Sequence, residues 1–366
     1  MQVHAAVLRE RTAPFVVERV ELADPGPGQV LVEIAGTGFC HTDVLPRQDG
    51  FLAAPPLIAG HEGAGVVTAV GPGVDEVAVG AHVLLSFDSC GRCVNCAAGH
   101  PAYCETFFAR NLTGRAGGGP GPVVDADGNP VAARWFGQSS FASHAIAGPR
   151  NVVVVDDDLP LHLLGPLGCG IQTGAGSVLI ALGVEAGASV AVFGAGGVGL
   201  SAVMAARVAG AATIVAVDLR EARLELAQEL GATHVLRGDA DYVAGQIRKL
   251  TRGGVQYALD TTGAPAVIAA GIDVLRPTGT IGLVGAGSRD LVLGPSALAT
   301  GKNVMGILEG DAIPQVFLPR LIALWRAGRF PFDQLIRTYP LSTINEAEQD
   351  AARGVTIKPV LIPEGR

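Results

Sequence analysis

Charged and aromatic side chains are scarce in this 366-residue sequence. Only 16% of the residues are charged and 5% are aromatic, whereas 49% are hydrophobic. Basic residues are outnumbered 26 to 34 by acidic ones, so the chain lacks the positive surplus that meets nucleic-acid phosphates. No apolar run is long enough to cross a bilayer, and residues 1–11 lack the apolar core of a signal peptide. We therefore expect a globular cytoplasmic protein without a nucleic-acid or membrane partner.

Glycine, by contrast, is abundant, with 51 residues, which suits an α/β protein with many tight turns. The length is sufficient for two domains with separate cores. Runs of β-branched residues predict a β-rich first part, and residues 111–134 predict a long loop with a hairpin near Asp127–Pro130. The predicted strands of this part are 30–34, 65–70, 83–85 and 141–146.

Beyond Leu161 the pattern changes, and short apolar strands alternate with helices. Such alternation is typical of a doubly wound parallel sheet. The predicted helices are 178–183, 200–210 and 221–230, and the predicted strands are 189–193, 213–218, 234–236, 257–260, 280–284 and 303–307.

Four of the six cysteines are clustered, in the pattern Cys90-x2-Cys93-x2-Cys96-x7-Cys104. In a reducing compartment clustered cysteines are more often metal ligands than disulfides. Four thiolates at this spacing can surround one tetrahedral ion in a closed structural site. The alternative, a redox Cys-x-x-Cys pair, leaves the third and fourth cysteines unexplained. The pattern therefore predicts a structural zinc site.

The other two cysteines, Cys40 and Cys169, form with His61 a second set of candidate metal ligands. Two thiolates and one imidazole are a ligand set of catalytic zinc, which leaves its fourth position to water or substrate. Taken singly, each residue is better explained as a buried thiol or a core histidine. Zinc held there would act as a Lewis acid on a bound substrate, with Asp43 as the expected partner of the second ring nitrogen of His61.

A glycine fingerprint joins a predicted strand to a predicted helix. Gly194, Gly196 and Gly199 match the pattern G-x-G-x-x-G, and Asp218 ends the next strand. In this context the motif indicates a dinucleotide site, because glycines let the backbone approach a pyrophosphate at a helix N-terminus. Asp218 would bond the adenosine ribose and repel a 2′-phosphate, which favours NAD over NADP. Arg220 and Arg223, close by, weaken that preference; their alternative role is that of solvated residues at a helix start.

With these motifs the sequence resembles the zinc-dependent medium-chain alcohol dehydrogenases over nearly its whole length. Residues 165–174 and 136–141 look like those of the aryl and allylic (benzyl-type) alcohol dehydrogenases. The resemblance implies a GroES-like β-rich catalytic domain over 1–160, completed by about 309–366, and a doubly wound Rossmann domain over 161–308. It also implies two zinc ions per subunit, NAD, a small alcohol or aldehyde as substrate, and a homodimer, with a tetramer as the alternative.

The resemblance assigns further residues. Thr42 would take the hydroxyl proton, His41 would replace a relay histidine whose position is Leu45 here, and Glu62 would face the metal from behind. The alternatives are a hydrogen bond to the cofactor pyrophosphate for His41, a buried salt bridge for Glu62, an ordinary surface lysine for Lys358 and core packing for Trp135. The residues assigned to the cofactor are Gly194, Gly196, Gly197, Val198, Gly199, Asp218, Arg223, Thr173 and Lys358, and those assigned to the substrate pocket are Thr42, Phe87, Trp135 and Phe136.

Two other functions are compatible with the same motifs. One is a different medium-chain dehydrogenase, acting on aliphatic alcohols, formaldehyde or polyols. The other is a non-catalytic structural protein that binds zinc and NAD, against which the complete ligand set and Thr42 argue. The sequence favours reversible oxidation of primary aromatic or allylic alcohols to aldehydes.

Overall fold

The computed structural model describes residues 1–115, 121–238, 240–285, 287 and 289–364. It divides into two compact units: the first comprises Met1–Cys169, Ile313–Pro319 and Asp333–Arg366, and the second comprises Gly170–Ala312 and Arg320–Phe332. The predicted boundary at residue 160 lies before the observed one, and Cys169 belongs to the first unit together with Cys40 and His61.

The first unit is built from two sheets. In the smaller sheet all neighbours are antiparallel, and its order is Leu57–Ile58, Gln2–Leu8, Phe15–Leu22, Val123–Val124, Pro130–Val131. The last pair is the hairpin predicted near residue 128; residues 116–120 of the predicted loop lie outside the described residues.

The larger sheet of the first unit carries the ends from which the site is built. Its order is Val152–Val155, His82–Leu85, Glu62–Val70, Val30–Gly38, Lys358–Ile362, Ile336–Pro340, and His144–Ala147 also pairs with Val30–Gly38. Alternate residues of these strands meet in one apolar cluster that includes Val32, Ile34 and Val67. The helices of this unit are Val94–Ala97, Phe107–Asn111, Leu161–Leu164 and Ile344–Arg353.

The predicted strand at 141–146 is shorter in the structure, where only His144–Ala147 pairs with the sheet. Phe141 and Ala142 instead bond the other sheet, since the amide of Ala6 donates to the Phe141 carbonyl and Ala142 bridges Ala5. The segment therefore joins the two sheets, a role that alternation of residues does not reveal.

The second unit is a parallel sheet with interleaved helices. The strand order is His234–Arg237, Thr213–Asp218, Ser189–Phe193, Val255–Asp260, Leu275–Leu283, Asn303–Gly306, all parallel. This order reverses direction after Ser189–Phe193, as in a doubly wound dinucleotide fold. The helices are Gly170–Gly176, Gly197–Ala209, Glu221–Leu230, Ala240–Leu250 and Pro265–Asp273; Pro314–Arg326 has residues in both units.

The predicted helix 178–183 begins earlier than expected. The structure has an α-helix over Gly170–Gly176 that continues as a π-helical turn over Ser177–Ala181. The sequence does not predict the first segment as a helix, because it contains three glycines and glycine is a poor helix former. Close packing requires two of them: a Cβ on Gly174 would lie 2.0 Å from the carbonyl oxygen of Val198, and one on Gly176 would lie 2.6 Å from that of Gly310.

Candidate functional site

The three predicted zinc ligands lie at the ends of neighbouring strands in the first unit. Cys40 follows the strand Val30–Gly38, and His61 directly precedes its antiparallel partner Glu62–Val70. Because Gly38 pairs with Glu62, the two ligands lie at the same edge of the sheet. A local register thus brings together residues that are far apart in sequence.

Cys169 reaches this edge through a tight 3-10 turn, Gly165–Gly168. A Cβ on Gly165 would lie 2.1 Å from the carbonyl oxygen of Glu62, and one on Gly168 would lie 2.1 Å from that of Leu85. Both glycines are therefore required by close backbone approach. Ser86 fixes the turn, because its hydroxyl donates to the Gly168 carbonyl at 2.6 Å.

The side chains converge on one point. Donor atoms of Cys40, His61, Glu62 and Cys169 all lie within 4.8 Å of one another, and Nε2 of His61 is 3.2 Å from Sγ of Cys169. Two sulfurs, one imidazole nitrogen and a nearby carboxylate suit zinc. The residues present therefore fit the predicted catalytic metal.

Asp43 orients the imidazole as the sequence predicts. Its carboxylate is fully buried and lies 2.7 Å from Nδ1 of His61, which leaves Nε2 directed toward the two sulfurs. The same carboxylate accepts hydrogen bonds from the amides of Cys40 and Gly60, each at 3.0 Å. One acidic side chain thus ties both strand ends and one ligand ring together.

The electrostatics favour ligation. The hydrogen bond with Cys169, and then the charge of Lys358, outweigh burial and lower the pKa of Cys40 well below the usual thiol value. Burial opposes the charged imidazole, but the Asp43 carboxylate raises the pKa of His61 well above its usual value. Metals bind the thiolate and the neutral imidazole, so a cation here displaces protons.

Lys358 corrects one prediction. Its ammonium does not face outward to a pyrophosphate but lies buried, with Nζ donating to both carboxylate oxygens of Glu62 at 2.8 and 2.9 Å. The Phe39 carbonyl, at 3.4 Å, is a third acceptor. Because an ammonium has three N–H donors, these contacts use them all. We therefore withdraw Lys358 from the cofactor residues; Glu62 forms the buried ion pair considered as its alternative.

The proton-transfer candidates lie on the 3-10 helix His41–Arg47, directly after Cys40. The Thr42 hydroxyl lies 3.7 Å from Sγ of Cys40, close to the ligand cluster. His41 is exposed, and Leu45 is half-buried. Of these residues, Thr42 has the observed contact with a metal ligand.

The aromatic residues assigned to the pocket are all buried. Phe87, Trp135 and Phe136 are 2%, 0% and 4% exposed. The Phe136 ring stacks on the His61 imidazole, with centroids 4.4 Å apart. The indole Nε1 of Trp135 donates to Asp43 at 3.0 Å, a contact the sequence interpretation missed. With no exposed surface, Trp135 offers no wall to a substrate in this structure, so we remove it from the predicted pocket.

The four clustered cysteines form a second candidate metal centre. Their sulfurs lie within 4.8 Å of one another, and no disulfide joins them. Amide donors of Arg92 and Cys93 lower the pKa of Cys90 to about 6, whereas burial raises the pKa of Cys96 to about 12. A cation bound by the four sulfurs would hold all of them as thiolates near neutral pH.

The glycine fingerprint lies in the second unit, where the sequence predicts it. The helix Gly197–Ala209 follows the strand Ser189–Phe193 after a tight turn, with Gly194 at φ 93°. A Cβ on Gly199 would lie 1.7 Å from the Gly194 carbonyl oxygen, whereas one on Gly196 would meet nothing within 4 Å. Gly199 is thus needed for packing, and Gly196 leaves free the space that a pyrophosphate requires.

Asp218 ends the neighbouring strand and bonds the fingerprint turn. Its carboxylate accepts from the amides of Ala195 at 2.8 Å and Arg220 at 2.9 Å, and Nη1 of Arg223 lies 3.8 Å away. Gly197 and Val198 form the first turn of the helix. Thr173 lies on the helix Gly170–Gly176, which packs against the fingerprint helix where Gly174 meets Val198. Its hydroxyl is 3.5 Å from Glu309, a buried carboxylate that the sequence interpretation did not single out.

Among the described residues, no single helix is long and apolar enough to cross a membrane. One bent pair, Leu161–Gly168 with Gly170–Ala181, has the length and composition to do so.

Comparison with known proteins identifies the family. The alcohol dehydrogenase GroES-like domain matches residues 26–155, and the zinc-binding dehydrogenase family matches residues 197–324. Geraniol dehydrogenase from Castellaniella defragrans is 47% identical, over 98% of this chain and 97% of its own. Two solved structures cover 100% of both chains. An alcohol dehydrogenase zinc-binding domain protein from Burkholderia ambifaria has TM-score 0.97 and 49% identity, and benzyl alcohol dehydrogenase from Acinetobacter calcoaceticus has TM-score 0.93 and 42% identity.

These matches confirm the predicted combination of a GroES-like domain and a Rossmann domain. The ligand cluster of the first unit and the glycine fingerprint of the second are the parts that such an oxidoreductase requires. The chain belongs to the zinc-dependent medium-chain alcohol dehydrogenases.

Proposed function

We propose that this protein oxidises primary allylic or aromatic alcohols to aldehydes, reversibly and with NAD, at a zinc site formed by Cys40, His61 and Cys169. The observation that carries the proposal is the convergence of these donor atoms, within 4.8 Å, beside the Asp43–His61 hydrogen bond. This arrangement suits an open catalytic metal site, which has three protein ligands and a free fourth position. An alcohol oxygen bound at that position would be polarised by the metal.

The chain's own residues have distinct tasks in this proposal. When bound, zinc supplies Lewis-acid polarisation of the alcohol oxygen, and the nicotinamide accepts hydride. Asp43 fixes the tautomer and the orientation of His61. Thr42, whose hydroxyl lies beside Cys40, receives the hydroxyl proton at Oγ1 and at the same time passes its own hydroxyl proton on toward solvent. The opposite charges of Glu62 and Lys358 cancel each other, so this buried pair adds no net charge behind the two thiolates.

NAD binding is assigned to the fingerprint turn of the second unit. Gly194, Gly196 and Gly199 give the pyrophosphate access to the helix Gly197–Ala209. Asp218, which bonds the amide of Ala195 in that turn, lies at the strand end where ribose hydroxyls are bound in such folds. Val198, Thr173 and Arg223 remain proposed cofactor residues.

The substrate class follows from the relatives and from the apolar surroundings of the ligands. One relative is named for geraniol, an allylic alcohol, and a similar structure is named for benzyl alcohol. Phe136, which stacks on the ligand His61, and Phe87 are buried in this structure and make the proposed surroundings of the ligands apolar. Polyols would bury hydroxyls without partners there, each at roughly 1–3 kcal/mol, whereas conjugated alcohols gain about 25 cal/mol per Å² of apolar area.

We also propose a structural zinc ion in the four-cysteine lobe, which gives two zinc ions per chain. We further propose that the enzyme is a homodimer and that it is cytoplasmic. The cytoplasm is supported by six cysteines without a disulfide among them.

An NADH-formation screen tests the proposed activity. Benzyl, cinnamyl and geranyl alcohols are compared with ethanol, sorbitol and S-hydroxymethyl thiol adducts of formaldehyde. We expect kcat/KM for the conjugated alcohols to exceed that for ethanol by roughly tenfold or more, which corresponds to about 1.4 kcal/mol of differential binding. A preference for sorbitol, ethanol or the formaldehyde adduct would contradict the substrate class, and absence of NADH formation from all of them would contradict the activity.

A further inference from the structure

One short segment, Trp135–Ser139, contacts the ligand His61 from three sides. The indole of Trp135 donates to the Asp43 oxygen that also bonds His61, at 3.0 Å. The Phe136 ring stacks on the imidazole at a 26° interplanar angle. The side-chain Nε2 of Gln138 donates to the His61 carbonyl at 2.9 Å. Ring, main chain and hydrogen-bond partner of this ligand are thus all held by one segment.

The backbone of the segment is strained. Phe136 and Ser139 have φ values of 49° and 53°, in the left-handed region that non-glycine residues rarely adopt, and Gly137 has φ 70°. Each such non-glycine residue costs on the order of 1–2 kcal/mol. Backbone strain of this kind persists where the surroundings enforce it, and it clusters at functional sites.

Ser139 enforces this conformation. Its Oγ accepts from the amide of Trp135 at 2.8 Å and donates to the Ile58 carbonyl at 2.6 Å. Asn151 adds a bond from its side-chain amide to the Phe136 carbonyl at 3.0 Å. The segment is therefore fixed at both ends, and the direction of the indole follows from that fixation.

The indole bond has a specific consequence for Asp43. One carboxylate oxygen, Oδ1, serves three donors: Nδ1 of His61, the amide of Gly60 and Nε1 of Trp135. The first two belong to residues 60 and 61 themselves, so among the described residues Trp135 alone ties this oxygen to a separate part of the chain. Without the indole N–H, the buried oxygen loses a donor and keeps hydrogen bonds to residues 60 and 61, the groups that it is meant to orient.

We propose that Trp135 is a positioning residue of the catalytic metal site: its indole N–H fixes Asp43, which in turn fixes His61 and slows loss of the metal ion. The inference rests on the proposed function only in requiring a metal ion at Cys40, His61 and Cys169. It replaces the substrate-wall role that the sequence suggested for Trp135.

The test uses two tryptophan variants of the holoenzyme. Trp135→Phe removes the N–H and keeps an aromatic ring, and Trp325→Phe is the matched control, since Trp325 packs on Phe332 in the second unit. Zinc release to a chromogenic chelator is followed with time. The zinc of the four-cysteine lobe serves as an internal reference within each protein.

We expect Trp135→Phe to release the catalytic zinc faster by several-fold and by at most about 10–100-fold, the effect of losing a ligand's own hydrogen-bond partner such as Asp43, and to shift the visible absorption of the cobalt-substituted site. The release rate of the lobe zinc should stay as in the parent, and Trp325→Phe should change neither. Parent-like release and an unchanged cobalt spectrum in Trp135→Phe would overturn the inference. If the parent holds no metal at these ligands, the proposed function itself fails.

A second measurement does not depend on the folding of Trp135→Phe. In the Trp325→Phe protein, Trp135 is the remaining tryptophan, so its fluorescence reports on the indole directly. We expect its emission to change when the catalytic metal is removed and to recover when zinc is added back. Emission that is indifferent to the occupancy of that site would also overturn the inference.

Discussion

The ion pair between Lys358 and Glu62 gives the sharpest stability prediction. Nζ lies 2.8 and 2.9 Å from the carboxylate oxygens, and the two residues are 4% and 0% exposed. Lys358→Met keeps an unbranched apolar side chain and removes the ammonium. The variant therefore leaves a buried carboxylate without its cation, which is a costly arrangement.

The expected loss in the free energy of unfolding follows from the least costly way to remove the buried charge, which is protonation of Glu62. Starting from an ordinary glutamate pKa of about 4.3, neutralising the group at pH 7 costs roughly 3.7 kcal/mol at 1.36 kcal/mol per unit. This agrees with the roughly 3–5 kcal/mol found for broken buried pairs. At pH 5 the same step costs only about 1 kcal/mol.

The sign of the pH dependence is fixed by linkage. In the variant, the pKa of Glu62 is higher in the folded than in the unfolded state, so its contribution to stability is lost as pH rises. We therefore expect the free energy of unfolding lost through Lys358→Met to increase between pH 5 and pH 7.

Urea unfolding in a Trp325→Phe background measures this loss, because the remaining Trp135 lies in the unit that holds the pair. The exposed Lys249 provides the control, and Lys249→Met should change stability by less than about 0.5 kcal/mol. If the free energy of unfolding falls by less than about 1 kcal/mol at pH 7, or falls equally at both pH values, Glu62 is not left as an uncompensated buried charge in the variant.

Three further predictions concern the other sites. Cys93→Ser or Cys96→Ser should lower the melting temperature and remove one zinc per chain; variants that melt like the parent and lose only turnover would mean that the two zinc roles are exchanged. Asp218→Ser should raise NADP use relative to NAD in steady-state kinetics, because a repulsive carboxylate is lost; a parent that already prefers NADP would contradict this. Gly199→Ala should lower the thermal stability of the second unit by calorimetry, because its Cβ would meet the Gly194 oxygen at 1.7 Å, whereas Gly196→Ala should keep the stability and weaken only NAD binding; equal melting of both variants would argue against the steric assignment.

Local patterns predicted much of this molecule. The four-cysteine lobe and the glycine turn are short segments in which spacing alone determines what comes together. Asp43 was predictable as the partner of His61 because a zinc-bound imidazole usually has a carboxylate partner. The order of the parallel strands likewise matches the alternation of strands and helices.

Contacts between distant segments were not predictable in the same way. The Trp135 indole meets Asp43 across 92 positions, and Lys358 meets Glu62 across 296. Both depend on the register of strands and on a strained turn, which no spacing rule reveals. The family resemblance suggested a phosphate contact for Lys358 and a pocket position for Trp135, whereas burial and hydrogen bonding give them other partners in the structure.

We propose that the first unit holds two zinc sites with different roles, one catalytic and one structural. Zinc per chain, measured with turnover on the parent and on Cys169→Ser, tests it most directly. We expect two zinc ions in the parent, one in Cys169→Ser, and no turnover in that variant, with NAD binding retained. Turnover in Cys169→Ser after loss of one zinc, or a parent with a single zinc, would contradict the account.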